Sequence, residues 1–132
     1  MGQIDLRMSL RDGWWTLIIP PGINLAEPGI YEWRLDGIGI YVGKSCRLPR
    51  RIQEYPNNVR KLISGAPYRR NQPTGYRIVH HQLKQAYDSK IGVIVTVLEN
   101  CARSELNERE RYWIELRKSE AETGGPAVLN GN

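Results

Sequence analysis

An Asp36-Gly37 dipeptide stands between two runs of strand-favouring residues, 29–35 and 38–43. Asp-Gly in that setting is among the strongest local signals for a β-hairpin, because glycine takes the positive φ that a tight turn needs. The chain is therefore committed to a β-sheet built outward from one antiparallel pair. Two registers are open. A two-residue Asp36-Gly37 loop pairs Tyr31 with Val42 and leaves Tyr41 on the opposite face. A three-residue Leu35-Asp36-Gly37 loop, with Gly37 left-handed in a G1 bulge, pairs Tyr31 with Tyr41 and sets two phenols side by side.

The flanking sequence adds strands and helices to this hairpin. Residues 14–19, Trp-Trp-Thr-Leu-Ile-Ile, read as a short buried strand halted by Pro20-Pro21-Gly22. Residues 48–54 and 58–64 read as two short helices on either side of Pro56, and 65–75 as a loop holding two prolines. A helix is expected over 78–87 and a buried, valine- and isoleucine-rich strand over 92–98. Ser104 is placed to cap a helix running to about Lys118, with Glu105 favouring its N-terminal dipole, and the Gly- and Pro-containing tail from Thr123 is irregular. The order hairpin, helix, strand, helix predicts an α+β fold: a small, mostly antiparallel sheet, hairpin plus central strand, flanked by helices. At 132 residues the chain fits one compact domain. It divides into an N-terminal extension, 1–28, with a short strand, and a main domain, 29–132.

Composition excludes several classes. Apolar residues make up 40% and charged residues 25%, a globular rather than disordered balance. The longest apolar run, 91–98, is far short of the roughly 18 residues of a membrane span. The opening Met-Gly-Gln-Ile-Asp lacks the basic and apolar regions of a signal peptide. Cys46 and Cys101 alone make neither a disulfide framework nor a four-ligand zinc site, so a reducing cytosol is expected.

The net charge of +5 is unevenly spread. From Lys44 to Arg77 nine basic residues face a single acid, Glu54, so this stretch carries about +8 and the remainder about −3. Seven of the nine are arginines, and Tyr55, Tyr68 and Tyr76 are interleaved with them. Guanidinium grips phosphate bidentately and aromatic rings stack on bases, so the segment suits nucleic acid. The competing reading is a solvated basic face.

Gly-Ile-Gly-Ile-Tyr-Val-Gly-Lys-Ser over 37–45 is not a phosphate-binding P-loop. That loop needs four residues between its first glycine and Gly-Lys-Ser; Gly37 leaves five and Gly39 three. Glu110 shares a helical stripe with Leu106, Trp113 and Ile114, an apolar setting that a carboxylate occupies only when paired or bound to a cation. Pairing with one of the arginines is the plain alternative to a metal site. His80 and His81 are adjacent and diverge on a helix, so they are not an i, i+4 metal pair; one packs and the other is exposed. Cys46 lacks a Cys-His-Asx arrangement and reads as incidental.

Gly29-Ile30-Tyr31, followed ten residues on by Tyr41-Val42-Gly43, resembles the paired signature of the GIY-YIG nuclease superfamily. The resemblance extends to Arg51, eight residues after Gly43, to Glu110 within Glu-Arg-Glu-Arg-Tyr-Trp-Ile, and to Asn130 in Val-Leu-Asn. It covers 29–130, and the order and spacing of five elements make it specific where each triplet alone is weak. It implies a stand-alone, cytoplasmic, prokaryotic or phage-like, metal-dependent DNA endonuclease acting on double-stranded or branched DNA. By that resemblance Tyr31 positions or deprotonates the attacking water, Tyr41 lies beside it, Arg51 steadies the scissile phosphate, and Tyr55 sits one helical turn beyond Arg51. Glu110 holds one Mg²⁺ or Mn²⁺, while Lys44, Arg47 and Arg50 flank the nucleic acid. Val42 replaces the usual isoleucine, and the position of a further family histidine falls at Ile78 rather than at His80 or His81. Tyr31 as a base requires its pKa to be lowered by metal-bound water, Lys44 or Arg51. A binding module that keeps the fold without turnover is the alternative. Specificity is left to loops 56–77, residues 1–28, homo-oligomerisation or a partner chain.

Overall fold

The computed structural model describes residues 10–131; the first nine residues of the N-terminal extension, with the Met-Gly-Gln-Ile-Asp start, lie outside the described residues. The fold is α+β, a four-stranded, mostly antiparallel sheet with three α-helices. Its strands are β1 (Trp15–Ile18), β2 (Gly29–Leu35), β3 (Gly39–Ser45) and β4 (Val93–Asn100), in the order β1-β4-β2-β3. The hairpin β2–β3 and the pair β2–β4 are antiparallel, and β1 adds to β4 in parallel, so the strand of the N-terminal extension belongs to the same sheet. No helix among the described residues is long and apolar enough to cross a membrane.

The hairpin takes neither expected register. Tyr31 pairs with Gly43, Trp33 with Tyr41 and Leu35 with Gly39, leaving Asp36-Gly37-Ile38 as the loop. Ile38 donates to the Leu35 carbonyl at 3.0 Å, and Gly37 and Gly39 both carry positive φ, 76° and 150°. The second glycine lets the turn close one residue later than a single left-handed position would allow. Tyr31 and Tyr41 therefore share a face as diagonal neighbours rather than direct partners. The place opposite Tyr31 must be glycine, since a Cβ on Gly43 would fall on the Tyr31 phenol.

Alternation along the strands separates two cores. Tyr31, Trp33, Leu35, Tyr41, Val93, Val95 and Val97 face α1 (Leu48–Ser64) and α2 (Ile78–Asp88). Ile30 and Val42 face α3 (Leu106–Ala121) through Leu106, Trp113 and Ile114. A short 3₁₀ turn, Arg103–Glu105, precedes α3. Ser104 does not cap the helix; Glu105 reaches back to accept the Ala102 amide at 3.0 Å.

Pro56 does not divide α1, which continues through it to Gly65, a left-handed C-cap. Leu48, Ile52, Tyr55 and Val59 form one buried stripe on both sides of the proline, and packing them on the sheet holds a single axis despite the lost hydrogen bond. On the other face, buried Glu32 is met by Arg117 at 2.5 Å, and Glu99 accepts from Arg109 and from Trp113 Nε1, each at 2.7 Å, so ion pairs fasten α3 to the sheet. The tail lies along the open edge of β3. Ile40 donates to Ala127, Leu129 donates to Ile40, and the Asn130 amide both accepts from Val42 N–H at 2.9 Å and donates to Val42 C=O at 2.8 Å. A side-chain amide thus completes the edge as another strand would.

Candidate active site

Tyr55 is the hub of the α1/α2 face. Its position on the buried stripe of α1 brings its ring 5.8 Å from Tyr31, 5.3 Å from Trp33, 6.2 Å from Tyr41 and 5.8 Å from His80, centroid to centroid. The Tyr31 and Tyr55 hydroxyls share a 2.5 Å hydrogen bond in the buried interior. Arg51, one turn before Tyr55, lies 5.5 Å from the Tyr55 ring centre and donates to Glu54 Oε1 at 2.8 Å, and its charge acts on Tyr31. Four expected residues separated by up to 24 positions, Tyr31, Tyr41, Arg51 and Tyr55, are therefore brought together.

Burial sets the chemistry of the phenols. Desolvation pushes Tyr31 up to about 12, and the Tyr55 hydrogen bond and the Arg51 charge lower it only in part. Tyr55 is raised further, again first by burial and then by its neighbouring tyrosines. The lowering that Tyr31 would need as a base is not supplied by Arg51, because loss of solvent outweighs the nearby cation. Both phenols are neutral hydrogen-bonding groups at ordinary pH. Arg51 keeps its charge: burial opposes it, but Tyr31, Tyr55 and Glu54 together raise it.

What solvent meets is the guanidinium. Where β3 passes into α1, Ser45, Cys46, Arg47, Arg50, Arg51 and Glu54 line an open cleft of about 220 Å³. Arg50 and Arg51 both reach Glu54, at 3.8 and 2.8 Å, by the i+4 and i+3 spacings of a helix. One carboxylate against three arginines leaves the cleft cationic, and Ser45 adds a hydroxyl. Such a cleft suits a phosphodiester.

Lys44 and Glu110 lie apart from this group. Alternation turns Lys44 to the α3 face, where its Nζ is 3.0 Å from Glu110 Oε1. Glu110 stands beside Leu106, Trp113 and Ile114 as its spacing predicts, and the partner it finds is a lysine rather than an arginine. Among the described residues no group of three or more His, Cys, Asp and Glu side chains gathers as a metal cage. A single part-exposed carboxylate fits a hard, hydrated divalent cation only where phosphate oxygens complete the ligand set.

No family model, curated protein or solved structure matches the chain.

Arg77 joins the site from outside the expected residues. It precedes α2, its guanidinium contacts the Tyr41 hydroxyl, and its carbon lies 5.4 Å from the Tyr41 ring centre. Only its membership of the basic stretch distinguishes it in the sequence. His80 is buried and His81 exposed. His80 Nδ1 accepts the Arg77 backbone N–H at 3.0 Å, and His80 Nε2 lies 3.3 Å from the Asn58 side-chain amide. Burial first, then the charges of Arg77 and Arg51, lower His80 to about 4. It is a neutral packing residue. Cys46 and Cys101 are both free thiols partly buried beside the α3-face core.

Proposed function

We propose that this protein is a metal-dependent DNA endonuclease that hydrolyses phosphodiester bonds in the cytoplasm. The observation that carries the reading is the cleft at the β3–α1 junction, where Arg51 is braced from beneath by the Tyr31–Tyr55 pair and flanked by Arg47 and Arg50. A phosphodiester held there meets a fixed cation whose position owes nothing to solvent, which is how a site stabilises the charge of a pentavalent phosphorane. Tyr31 and Tyr55, as neutral donors and acceptors, back Arg51 and orient a water, and Arg77 contacts the Tyr41 hydroxyl beside them. Glu110 would hold the Mg²⁺ or Mn²⁺, which when bound supplies charge to the leaving alkoxide. The resemblance of Tyr31, Tyr41, Arg51, Tyr55 and Glu110 to the GIY-YIG pattern supports the same reading.

A non-catalytic nucleic-acid-binding module is the second reading. It is favoured by the Lys44–Glu110 ion pair, which engages the metal-holding carboxylate on the face opposite the tyrosines.

Incubation of purified protein with supercoiled plasmid and Mg²⁺ or Mn²⁺ separates the two. Nuclease activity predicts nicked or linear product that vanishes with chelator, with Arg51→Ala, and with Glu110→Ala although the latter still binds DNA. Intact plasmid across metals, pH values and DNA sequences would overturn the nuclease reading.

A further inference from the structure

Between α1 and α2 the segment 66–76 is not a slack loop. Tyr68 donates to Pro73, and Arg69 and Gln72 exchange backbone hydrogen bonds at 3.2 and 3.1 Å, forming a minimal hairpin whose turn is Arg70-Asn71. Its base is braced. Tyr76 donates its hydroxyl to Ala66 C=O at 2.6 Å, the Tyr68 ring stands edge-on to Tyr76 at 5.2 Å, and Lys61 Nζ reaches Tyr68 C=O at 3.3 Å. Gly75 passes so close under Tyr68 that a Cβ would touch its ring at 3.0 Å. The tip side chains Arg69, Arg70, Asn71 and Gln72 are all exposed. The turn is braced at its base and its exposed tip carries two arginines and two amides with no acidic residue; Arg69 lies over the Tyr68 ring at 4.9 Å, leaving Arg70, Asn71 and Gln72 to present hydrogen bonds.

We propose that this hairpin reads base edges in the major groove of the DNA and confers sequence preference on the endonuclease. The inference rests on the DNA-cleaving reading of the Arg51 cleft. The side-chain types match the donor and acceptor code: arginine is bidentate to guanine, and asparagine and glutamine are bidentate to adenine. The surface between hairpin and cleft is prepared for backbone. A groove of about 430 Å³, lined by Asn57, Asn58, Arg60, Lys61, Tyr68 and Arg69, also includes Glu54, the residue that borders the Arg51 cleft. Lys61 and Arg69 are placed there for phosphates. One face of α1 runs the length of both, since Arg51, Glu54, Asn58 and Lys61 follow helical spacing. From Arg51 to Lys61 is ten residues of α1, about 15 Å at 1.5 Å per residue.

The test is selection of binding sites from a pool of duplexes with a randomised centre, carried out without divalent metal so that cleavage plays no part. The full chain is compared with Arg70→Ala and with Asn71→Ala/Gln72→Ala, each checked for an unchanged thermal melt; these tip side chains make no contact with the core. The wild type is expected to enrich a short motif. Arg70→Ala is expected to lose discrimination at a guanine by about tenfold, and the amide double variant at an adjacent adenine, while affinity for unselected DNA falls no more than severalfold. Binding without any enriched motif, or a motif identical in wild type and variants, overturns the base-reading role and leaves the nuclease reading standing. No binding to any duplex, alongside intact plasmid in the cleavage assay, overturns both.

Discussion

At the scale of single residues, the interior of the cleft is a set of polar groups that satisfy one another. The Tyr31 and Tyr55 hydroxyls are each buried and bonded to the other. Removing one leaves the other a buried hydroxyl with a lost partner, which costs about 1–3 kcal/mol, whereas removing both leaves two rings of nearly the same shape. Tyr31→Phe and Tyr55→Phe are each expected to destabilise by about that amount, and the double variant to be no worse than either single; urea titration of the four proteins checks the cycle. His80 makes a prediction in pH. Its folded pKa, about 4, lies below the ordinary 6.5, so below pH 6.5 the unfolded chain takes up a proton that the folded chain refuses. The His80 contribution is complete above pH 6.5 and is lost as pH falls toward 4, at a slope of up to about 1.4 kcal/mol per pH unit. Between pH 7 and 5, where most carboxylates stay charged, the wild type is expected to lose stability and His80→Gln to show a flatter profile. Equal slopes in urea melts would place the titration elsewhere.

At the scale of elements, the strands and helices were legible because their signals are local. Asp36-Gly37 announces the hairpin, and the valines and isoleucines of 92–98 announce β4. What escaped depends on partners distant in sequence. The hairpin register is settled by Gly39 adopting φ of 150° and by the need to lay Tyr31 over Gly43, neither of which the turn dipeptide specifies. α1 runs through Pro56 because Leu48, Ile52, Tyr55 and Val59 are anchored on the sheet, a tertiary effect that overrides a local breaker. The grouping of Tyr31, Tyr41, Arg51 and Tyr55 was legible through the family resemblance, but the upward shift of the phenols was not, since burial appears only once α1 covers them. The tail's role was hidden likewise. Asn130 substitutes for a neighbouring strand at the edge of β3, making two hydrogen bonds to Val42. Asn130→Ala is expected to lower stability by about 1–2 kcal/mol, on the order of 1 kcal/mol per hydrogen bond, and to speed amide exchange at Val42 more than at Val95 in the sheet interior. Unchanged exchange at Val42 would show that the edge does not depend on the tail.

At the scale of the whole molecule, the sheet is a wall with a cationic cleft on one side and a carboxylate on the other, and the two meet at the end of β3. Consecutive residues there serve opposite faces: Lys44 pairs with Glu110 toward α3, and Ser45 lines the arginine cleft. Lys44, paired with Glu110, is one residue from Ser45 of the cleft that is proposed to hold the phosphate. On the nuclease proposal, DNA would draw Lys44 toward its backbone and free the carboxylate, and without DNA the ion pair would oppose a divalent cation at Glu110. Lys44→Gln separates these roles. The pair is partly exposed, so folding stability is expected to change by less than about 1 kcal/mol. DNA affinity is expected to fall, with the slope of log K against log salt shallower by about 0.9, the value of one phosphate contact on duplex DNA. Mn²⁺ binding to the free protein, followed by electron paramagnetic resonance, is expected to tighten severalfold, because Glu110 no longer shares its charge with an ammonium. That gain is expected to disappear in Lys44→Gln/Glu110→Gln. Tighter Mn²⁺ binding in the single variant with no loss in the double one would locate the cation away from Glu110. An unchanged Mn²⁺ affinity in Lys44→Gln would show that the ion pair does not govern the metal at all.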